Sequence, residues 1–390
     1  MYPYQAYQPH HPYHPLYPLY PPIRKPVETK ANGGFHNHLA SMCPRSSLLP
    51  VILLVLLAGL WGCGCELDRS PGSDSQLVVM TYNVGNLFDA YYDGTEYAEY
   101  TPEAGWTGEG FLKRLDNLAQ VIVQTPGLLP DLVVLQEIEH DGVLAQLLAR
   151  GLSTRGYCWY AATADTGSAI QTGVISRLPI KRAVVHGVTG CRSVLEVVVE
   201  AGGTEVVVLG FHAKSRKEGA LETEAQRIEL TRVLQGVAQE KWKQDPDAVM
   251  LLAGDCNESA DAFLRGGQAV QTALVPVDSP YAGTYAAQGS LLVGGSPPVA
   301  QSWYSWWLDR NGLLDAEAQG SYWYQGVWES FDQILFSEGC FSGSPWSFDH
   351  ARVVAHRMLC DASGYPQPWD QKLKKGFSDH LPFYVVLKSR

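Results

Sequence analysis

The chain is short of basic residues. Its 29 Lys and Arg stand against 40 Asp and Glu, a net charge of -11. Residues 1–63 hold four of the basic residues (Arg24, Lys25, Lys30, Arg45) and one acidic residue (Glu28), so the remainder carries 25 basic against 39 acidic residues. A protein that grips nucleic acid by bulk electrostatics is basic. That mode is excluded, and a polyanionic substrate would need divalent cations to screen the protein's own field. No C-x-x-C pair occurs among the eight cysteines at 43, 63, 65, 158, 191, 256, 340 and 360, so nothing points to zinc. Five cysteines fall in the body, which leaves at least one thiol unpaired; Cys158–Cys191 and Cys340–Cys360 are possible pairs. There is no internal repeat and no interior linker. At 46% hydrophobic and 18% charged, the chain has enough apolar material for a sizeable core.

A comfortable membrane-spanning run is also missing. The apolar stretch from Leu48 to Trp61 is too short. Preceded by Met42 and Arg45 and followed by small residues, it fits an export signal over residues 42–63. Its end, Leu60-Trp61-Gly62-Cys63, resembles a bacterial lipoprotein signal with Cys63 as the lipidated residue; Cys65 is a second candidate. Residues 1–41, rich in Tyr, Pro and His, are predicted to be disordered, and Met42 is read as the true start. Residues 64–75 read as a linker. The expected location is exported and membrane-anchored through a lipid or the signal itself, on the periplasmic or cell-surface side, with secretion as the alternative.

From residue 76 to 390 the chain alternates strand-like and helix-like stretches. Strands are predicted at 77–84, 132–138, 158–162, 173–176, 194–200, 205–212, 248–253, 332–336, 351–355 and 382–387, rich in Val, Ile and Leu. Several are apolar on both faces, as in Asp131-Leu132-Val133-Val134-Leu135, and belong in buried sheets. Helices are predicted over 111–124, with Leu115, Leu118 and Ile122 on one face, and over 222–239, with Ala225, Ile228, Val233 and Val237 on one face. The Gly-, Ser- and Ala-rich residues 285–300 read as a long surface loop. The pattern is one mixed domain with flanking helices.

Polar residues recur where the apolar strands end. They are Thr81-Tyr82-Asn83, Gln136-Glu137, His212, Gly254-Asp255-Cys256-Asn257, Asp332 and Ser378-Asp379-His380. Loops at one end of a sheet sandwich can gather such residues into one cleft. Glu137, Asp379 and the amide of Asn83 offer the oxygen ligands that a hard cation takes. Either Asp255 or His380 suits the role of general base toward water. Asp332 suits orienting His380 and stabilising its cation. Asn257 suits a hydrogen bond to phosphate. Each element alone reads equally well as a turn or a satisfied core group; the ordered set does not.

That order resembles the endonuclease/exonuclease/phosphatase superfamily, which includes deoxyribonuclease I, abasic-site endonucleases, bacterial sphingomyelinases and inositol polyphosphate 5-phosphatases. The resemblance spans about residues 76–388. It rests on Thr81-Tyr82-Asn83, Leu135-Gln136-Glu137, Phe211-His212-Ala213-Lys214-Ser215, Gly254-Asp255-Cys256-Asn257, Phe331-Asp332-Gln333-Ile334-Leu335 and Ser378-Asp379-His380-Leu381-Pro382, with Thr172 to Pro179 between them. It implies an α/β four-layer sandwich: two mixed β-sheets packed face to face, with helices outside. It implies a Mg2+ or Mn2+ site at Asn83, Glu137 and Asp379. Asp255 and Asn257 would position water and phosphate, Asp332 would pair with His380, and His212 would be a second active-site histidine.

This chain departs from the pattern in two places. Residues 168–172 (Ser-Ala-Ile-Gln-Thr) lack the basic residue the family often carries there, which weakens a grip on duplex DNA. Cys256 inside the Asp-x-Asn motif reads as a buried structural thiol. Lys214, with Arg216 and Lys217, is a candidate phosphate contact. The aromatic run Trp303, Tyr304, Trp306, Trp307, Tyr322, Trp323, Tyr324 and Trp328 suits base stacking, a membrane interface or core packing. The leading expectation is a monomeric nuclease cleaving nucleic-acid phosphodiesters. The alternatives are a phosphoesterase for lipid or small-molecule phosphates and a non-enzymatic surface lipoprotein.

Overall fold

The computed structural model describes residues 75–124, 128–299, 301–309, 320–341 and 345–389. The signal segment and Cys63 lie outside the described residues, and no described helix is long and apolar enough to cross a membrane.

In chain order the strands are β1 (Gln76–Leu87), β2 (Leu132–Ile138), β3 (Trp159–Ala162), β4 (Gln171–Ser176), β5 (Ile180–His186), β6 (Val194–Ala201), β7 (Thr204–His212) and β8 (Val249–Asp255). There follow β9 (Leu274–Pro276), β10 (Leu291–Gly294), β11 (Trp303–Ser305), β12 (Tyr322–Tyr324), β13 (Val327–Glu329), β14 (Asp332–Phe336), β15 (Trp346–Val353) and β16 (Phe383–Ser389). One six-stranded sheet runs β15-β16-β1-β2-β4-β3; an eight-stranded sheet runs β5-β6-β7-β8-β14-β11-β10-β9; β12 and β13 form a separate hairpin. Both large sheets are mixed: β1–β2 and β7–β8 are parallel pairs, while β1–β16 and β8–β14 are antiparallel.

The two-sided apolar strands explain the layering. β2, β7 and β8 are buried on both faces, so each sheet packs on its partner inside and on helices outside. Helices α1 (Gly108–Val123) and α2 (Asp141–Leu147) cover the six-stranded sheet, and α3 (Glu224–Gln244) covers the eight-stranded one. The result is the four-layer sandwich. The sheets meet closely at Gly210 of β7, where an added Cβ would come within 3.1 Å of Val134 on β2 and 3.3 Å of Thr172 on β4.

Three expectations need correction. Residues 285–300 are not one loop: 282–287 are helical, and β10 joins the eight-stranded sheet by burying Leu291 and Val293. The predicted α3 face is right only in part: Val233 and Val237 pack half-buried against the core and Ala225 is exposed. The most buried residues are Glu224, Arg227, Leu230, Thr231, Leu234 and Ala238, with Arg227 buried as an ion among hydrogen-bond partners. Neither cysteine pairing forms, and Cys158, Cys191, Cys256, Cys340 and Cys360 are all free. Cys340 is buried beside Met250 and Ser337, whereas Cys158 is exposed. Cys256 is a buried thiol, as expected.

Candidate active site

Strand register assembles half of the site. His212 on β7 is the cross-strand partner of Asp255 on β8, and Asp255 is the partner of Asp332 on β14. Three neighbouring strands therefore present these side chains in one row at one end of the eight-stranded sheet. β8 ends at Asp255, and Asn257, two residues on in left-handed backbone with φ of 48°, folds back beside it while Cys256 is buried. Asn257 Nδ2 lies 3.1 Å from Asp255 Oδ2, and its backbone N–H donates to Asp255 Oδ1 at 2.7 Å.

The six-stranded sheet supplies the other half. The β1–β2 register breaks between Asn83 and Leu87, and the β2–β4 register breaks between Gln136 and Ile138. These bulges re-aim side chains at the strand ends. Gly85, Asn86 and Glu137 all take left-handed backbone, with φ of 67°, 56° and 66°. Non-glycine residues held there cost energy and cluster at functional sites. Through the bulges, Asn83 Nδ2 donates to Glu137 Oε1 at 3.1 Å and to Asp255 Oδ2 at 3.0 Å, which joins the two sheets. Ser378 Oγ donates to Asn83 O at 2.8 Å and accepts from His380 N at 3.1 Å, which brings Asp379 and His380 over the same spot.

His380 Nδ1 sits 2.8 Å from Asp332 Oδ2 and its Nε2 is 3.9 Å from Asp255 Oδ2. Burial disfavours the imidazolium, but Asp332, then Asp255 and Asp379, raise the His380 pKa to about 10. Burial pushes Asp255 up to about 7, against the lowering effect of His380. His212 is held well below its ordinary value, first by burial and then by the nearby Arg192 and His380. It is a neutral imidazole with Nε2 3.5 Å from Asp255 and a buried Nδ1 that has no partner.

The residues fit a hard divalent cation. Among the described residues, Asp379 has a single polar side-chain contact, Ser378 Oγ at 3.4 Å, and no basic partner. Glu137 has amide donors and only the neutral His212 at 3.8 Å. A Cβ at Gly85 would lie 3.6 Å from Asp379 Oδ1 and 3.2 Å from Ser378 Oγ, so the backbone leaves room for the carboxylate beside Asn83. This is an all-oxygen donor set with uncompensated charge, the kind Mg2+ or Mn2+ takes.

A cleft of about 800 Å3 opens over these groups. Glu137, His212, Lys214, Asp255, Asn257, Asp379 and His380 all line it. Asn83 and Asp332 lie beneath and act through contacts with them. Lys217 also faces the cleft, while Lys214 is bonded to Glu218 at 2.8 Å. Arg216 does not line the cleft: it pairs with Glu329 at 3.8 Å and lies over Phe331. Of the aromatic run, Trp303, Tyr304, Trp306 and Trp307 are core residues, and Tyr322 packs against His380 at a 33° tilt with centroids 4.6 Å apart.

Sequence reasoning passed over Arg192, Tyr97, Tyr100 and Trp369, which complete the cleft wall. Arg192 donates to His212 O and Ala213 O at 3.3 and 3.1 Å, and among the described residues its Nε has no partner and no carboxylate pairs with it. Its loop is tied to the loop before β4 by Ser193 N to Asp165 Oδ2 at 2.8 Å. Thus the wall that lacks a basic residue at 168–172 receives one from elsewhere in the chain. Nothing in Gly190-Cys191-Arg192 marks it out as a sequence.

A second group, Asp89, Glu139 and His140, brings three ligand atoms within 4.8 Å of one another. His140 Nδ1 accepts the Gly142 N–H at 3.0 Å as the N-cap of α2. The ring proton of the neutral histidine therefore sits on Nε2, directed at Asp89 Oδ2 3.4 Å away. A nitrogen carrying that proton is a donor, so in this arrangement the group is a hydrogen-bonded cap, and a cation would have to displace the proton.

A sequence profile described as the Endonuclease/Exonuclease/phosphatase family matches residues 78–269. No curated protein matches the sequence. Among solved structures, truncated TDP2 from Caenorhabditis elegans is similar at 16% identity and a TM-score of 0.50, over 80% of this chain and 98% of that one. A second structure of C. elegans TDP2 gives 15% and 0.50, over 80% and 75%. Beta toxin from Staphylococcus aureus gives 18% and 0.47, over 79% and 99%. At these identities the likeness to the two TDP2 structures speaks for the fold alone.

Proposed function

Because the chain belongs to the endonuclease/exonuclease/phosphatase family, we propose that it is a divalent-metal-dependent phosphoester hydrolase whose substrate is a nucleic-acid phosphodiester. The observation that carries this reading is the convergence of the Asp332–His380 pair, Asp255 and the Asn83–Glu137–Asp379 oxygen set on one cleft. When bound, Mg2+ or Mn2+ would polarise the phosphoryl oxygen and stabilise developing charge. Asn83, Glu137 and Asp379 would hold it. Asp255 is buried, fed by three N–H donors and poised near neutrality, and so suits the role of acceptor for the water proton. His380, kept cationic by Asp332, faces the phosphoryl group as a donor. Arg192 offers a further hydrogen bond to phosphate oxygens, and Asn257 Nδ2, which donates to Asp255 and Ala213 O, would turn to phosphate by giving up one of them.

A second reading, hydrolysis of lipid or small-molecule phosphates, is favoured by the excess of acidic residues, which opposes a long polyanion. Tyr324 and Val327 are exposed on the hairpin whose Tyr322 lines the cleft, and they suit an apolar substrate. The test is a panel assayed with the purified protein and Mg2+: plasmid, single-stranded DNA, RNA, sphingomyelin, inositol phosphates and a bis-aryl phosphate. Turnover of nucleic acid supports the first reading, and turnover of lipid or inositol phosphates alone supports the second. Silence across the panel supports a non-enzymatic surface protein. We also read residues 42–63 as an export signal anchoring the protein through Cys63. Mass spectrometry of the mature N-terminus tests that: peptides from residues 1–41 would refute it.

A further inference from the structure

Arg114 on α1 is an arginine that the proposed chemistry does not use, 4% exposed and, among the described residues, without an ion-pair partner. A guanidinium taken out of water is tolerated only where its donors are satisfied. Here they are satisfied by backbone carbonyls. Nη2 donates to Val84 O at 2.5 Å, Gly85 O at 3.0 Å and Asn86 O at 3.5 Å, while Nη1 donates to Phe377 O at 3.2 Å. The Trp369 ring lies over the guanidinium, with 5.4 Å from Cζ to the ring centroid. Asn117, one helical turn on, donates from Nδ2 to Gly376 O at 2.9 Å.

The identity of these carbonyls gives the arginine its meaning. Residues 84–86 are the β1 bulge, where the ladder to β2 is interrupted, so their carbonyls lack ladder partners. The same bulge follows Asn83, and its Asn86 N–H holds Glu137 Oε2 at 2.8 Å. Residues 376 and 377 immediately precede Ser378 and Asp379. One helix face therefore grips both segments that carry the proposed metal ligands, nearly 300 residues apart in sequence.

We propose that Arg114, assisted by Asn117, is a positioning residue that sets Asp379 against Asn83 and Glu137 and thereby fixes the affinity of the cation site. This inference rests on the metal-dependent reading above. Two effects oppose each other here. As a charge, Arg114 repels a nearby cation, so its removal would tighten metal binding. As a clamp it holds the ligands in place, so its removal would loosen binding. Partners that orient metal ligands are typically worth about 10- to 100-fold in affinity, and on this proposal the clamp prevails.

The experiment is a Mn2+ titration, followed by electron paramagnetic resonance and calorimetry, of the wild type, Arg114→Gln, Arg114→Lys and Asn117→Ala, with Glu137→Gln as the ligand control. Arg114→Gln is expected to bind Mn2+ about 10- to 100-fold more weakly. Asn117→Ala should weaken it less, and Arg114→Lys should recover part of the loss. Turnover should return at saturating Mn2+, with the substrate KM little changed. Folded variants, with unchanged near-ultraviolet circular dichroism, that bind Mn2+ as tightly as the wild type or more tightly would overturn the proposal. If the Arg114 variants do not fold, Asn117→Ala decides by the same criterion. A wild type that binds no Mn2+, or a Glu137→Gln protein that binds it normally, would overturn the metal reading and this inference with it.

Discussion

Asn86 and Glu137 face each other from bulges on adjacent parallel strands, both in left-handed backbone and joined by a 2.8 Å hydrogen bond from Asn86 N to Glu137 Oε2. The strain is local, and the contact it makes possible is the one that aims the proposed ligand.

A β-branched residue at position 86 should expose that strain. Asn86→Val is expected to lose about 1–3 kcal/mol of stability in urea unfolding, whereas Asn86→Gly should stay within a few tenths. Equal stability of the two variants would show that the left-handed turn is not enforced.

The Asp332–His380 pair should govern both rate and protonation. His380→Ala and Asp255→Asn are each expected to lower kcat by about a hundredfold or more. His380 has a raised folded pKa. Its pairing with Asp332 therefore contributes stability that is full below about pH 6.5 and is lost as pH rises through about 10. In Asp332→Asn the His380 titration, followed by NMR in the metal-free protein, should move to lower pH. An unmoved titration would refute Asp332 as the partner that holds the charge.

Glu258 carries the opposite lesson about an acid. It and Glu224 both accept the Ala273 N–H, at 3.2 and 2.7 Å, and one guanidinium, Arg227, serves both. Burial, then Glu224, pushes the Glu258 pKa well above the carboxylate range. A raised folded pKa means that stability is present at low pH and is lost as pH rises past about 4.3, the ordinary glutamate value. Glu258→Gln removes the ionisation while keeping the shape. It should match the wild type below about pH 4 and exceed its stability at pH 7. Parallel stability–pH curves would show that Glu258 is ionised in the fold.

Arg192 should matter to binding more than to folding. A charge-assisted hydrogen bond to a phosphate contributes about 1.5–3 kcal/mol. Arg192→Ala should therefore lower kcat/KM about 10- to 100-fold on any phosphoester that the protein turns over. Arg192→Lys, which keeps the charge but not the fork, should fall between. Unchanged kcat/KM would remove Arg192 from the cleft's substrate contacts.

Much of the architecture was legible because apolar runs and strand-end polar residues coincide. Leu132–Ile138 and Asp332–Phe336 were delimited to the residue, and the motif blocks sit at the bulge within β1, at the ends of β2, β7 and β8, at the start of β14 and just before β16. The strands β9, β10 and β11 were invisible because three or four residues give too little alternation to stand out from a Gly- and Ser-rich background. On α3 the half-buried Val233 and Val237 were legible, but hydrophobic periodicity cannot register Arg227, a charged residue buried among its own partners. Arg114, Arg192 and Trp369 sit in no motif. They reach the cleft or the ligand loops only through folding, and a linear reading has no term for that.

The proposed ligands Asn83, Glu137 and Asp379 ride on the six-stranded sheet, while His212, Asp255 and Asp332 ride on the eight-stranded one. The gap between catalytic halves is therefore a spacing between two plates, set where Gly210 lets β7 approach Val134 and Thr172. Side chains that never meet solvent or substrate act as the shims of the active site, and the chemistry at the rim inherits its tolerances from the thickness of the oil between the plates.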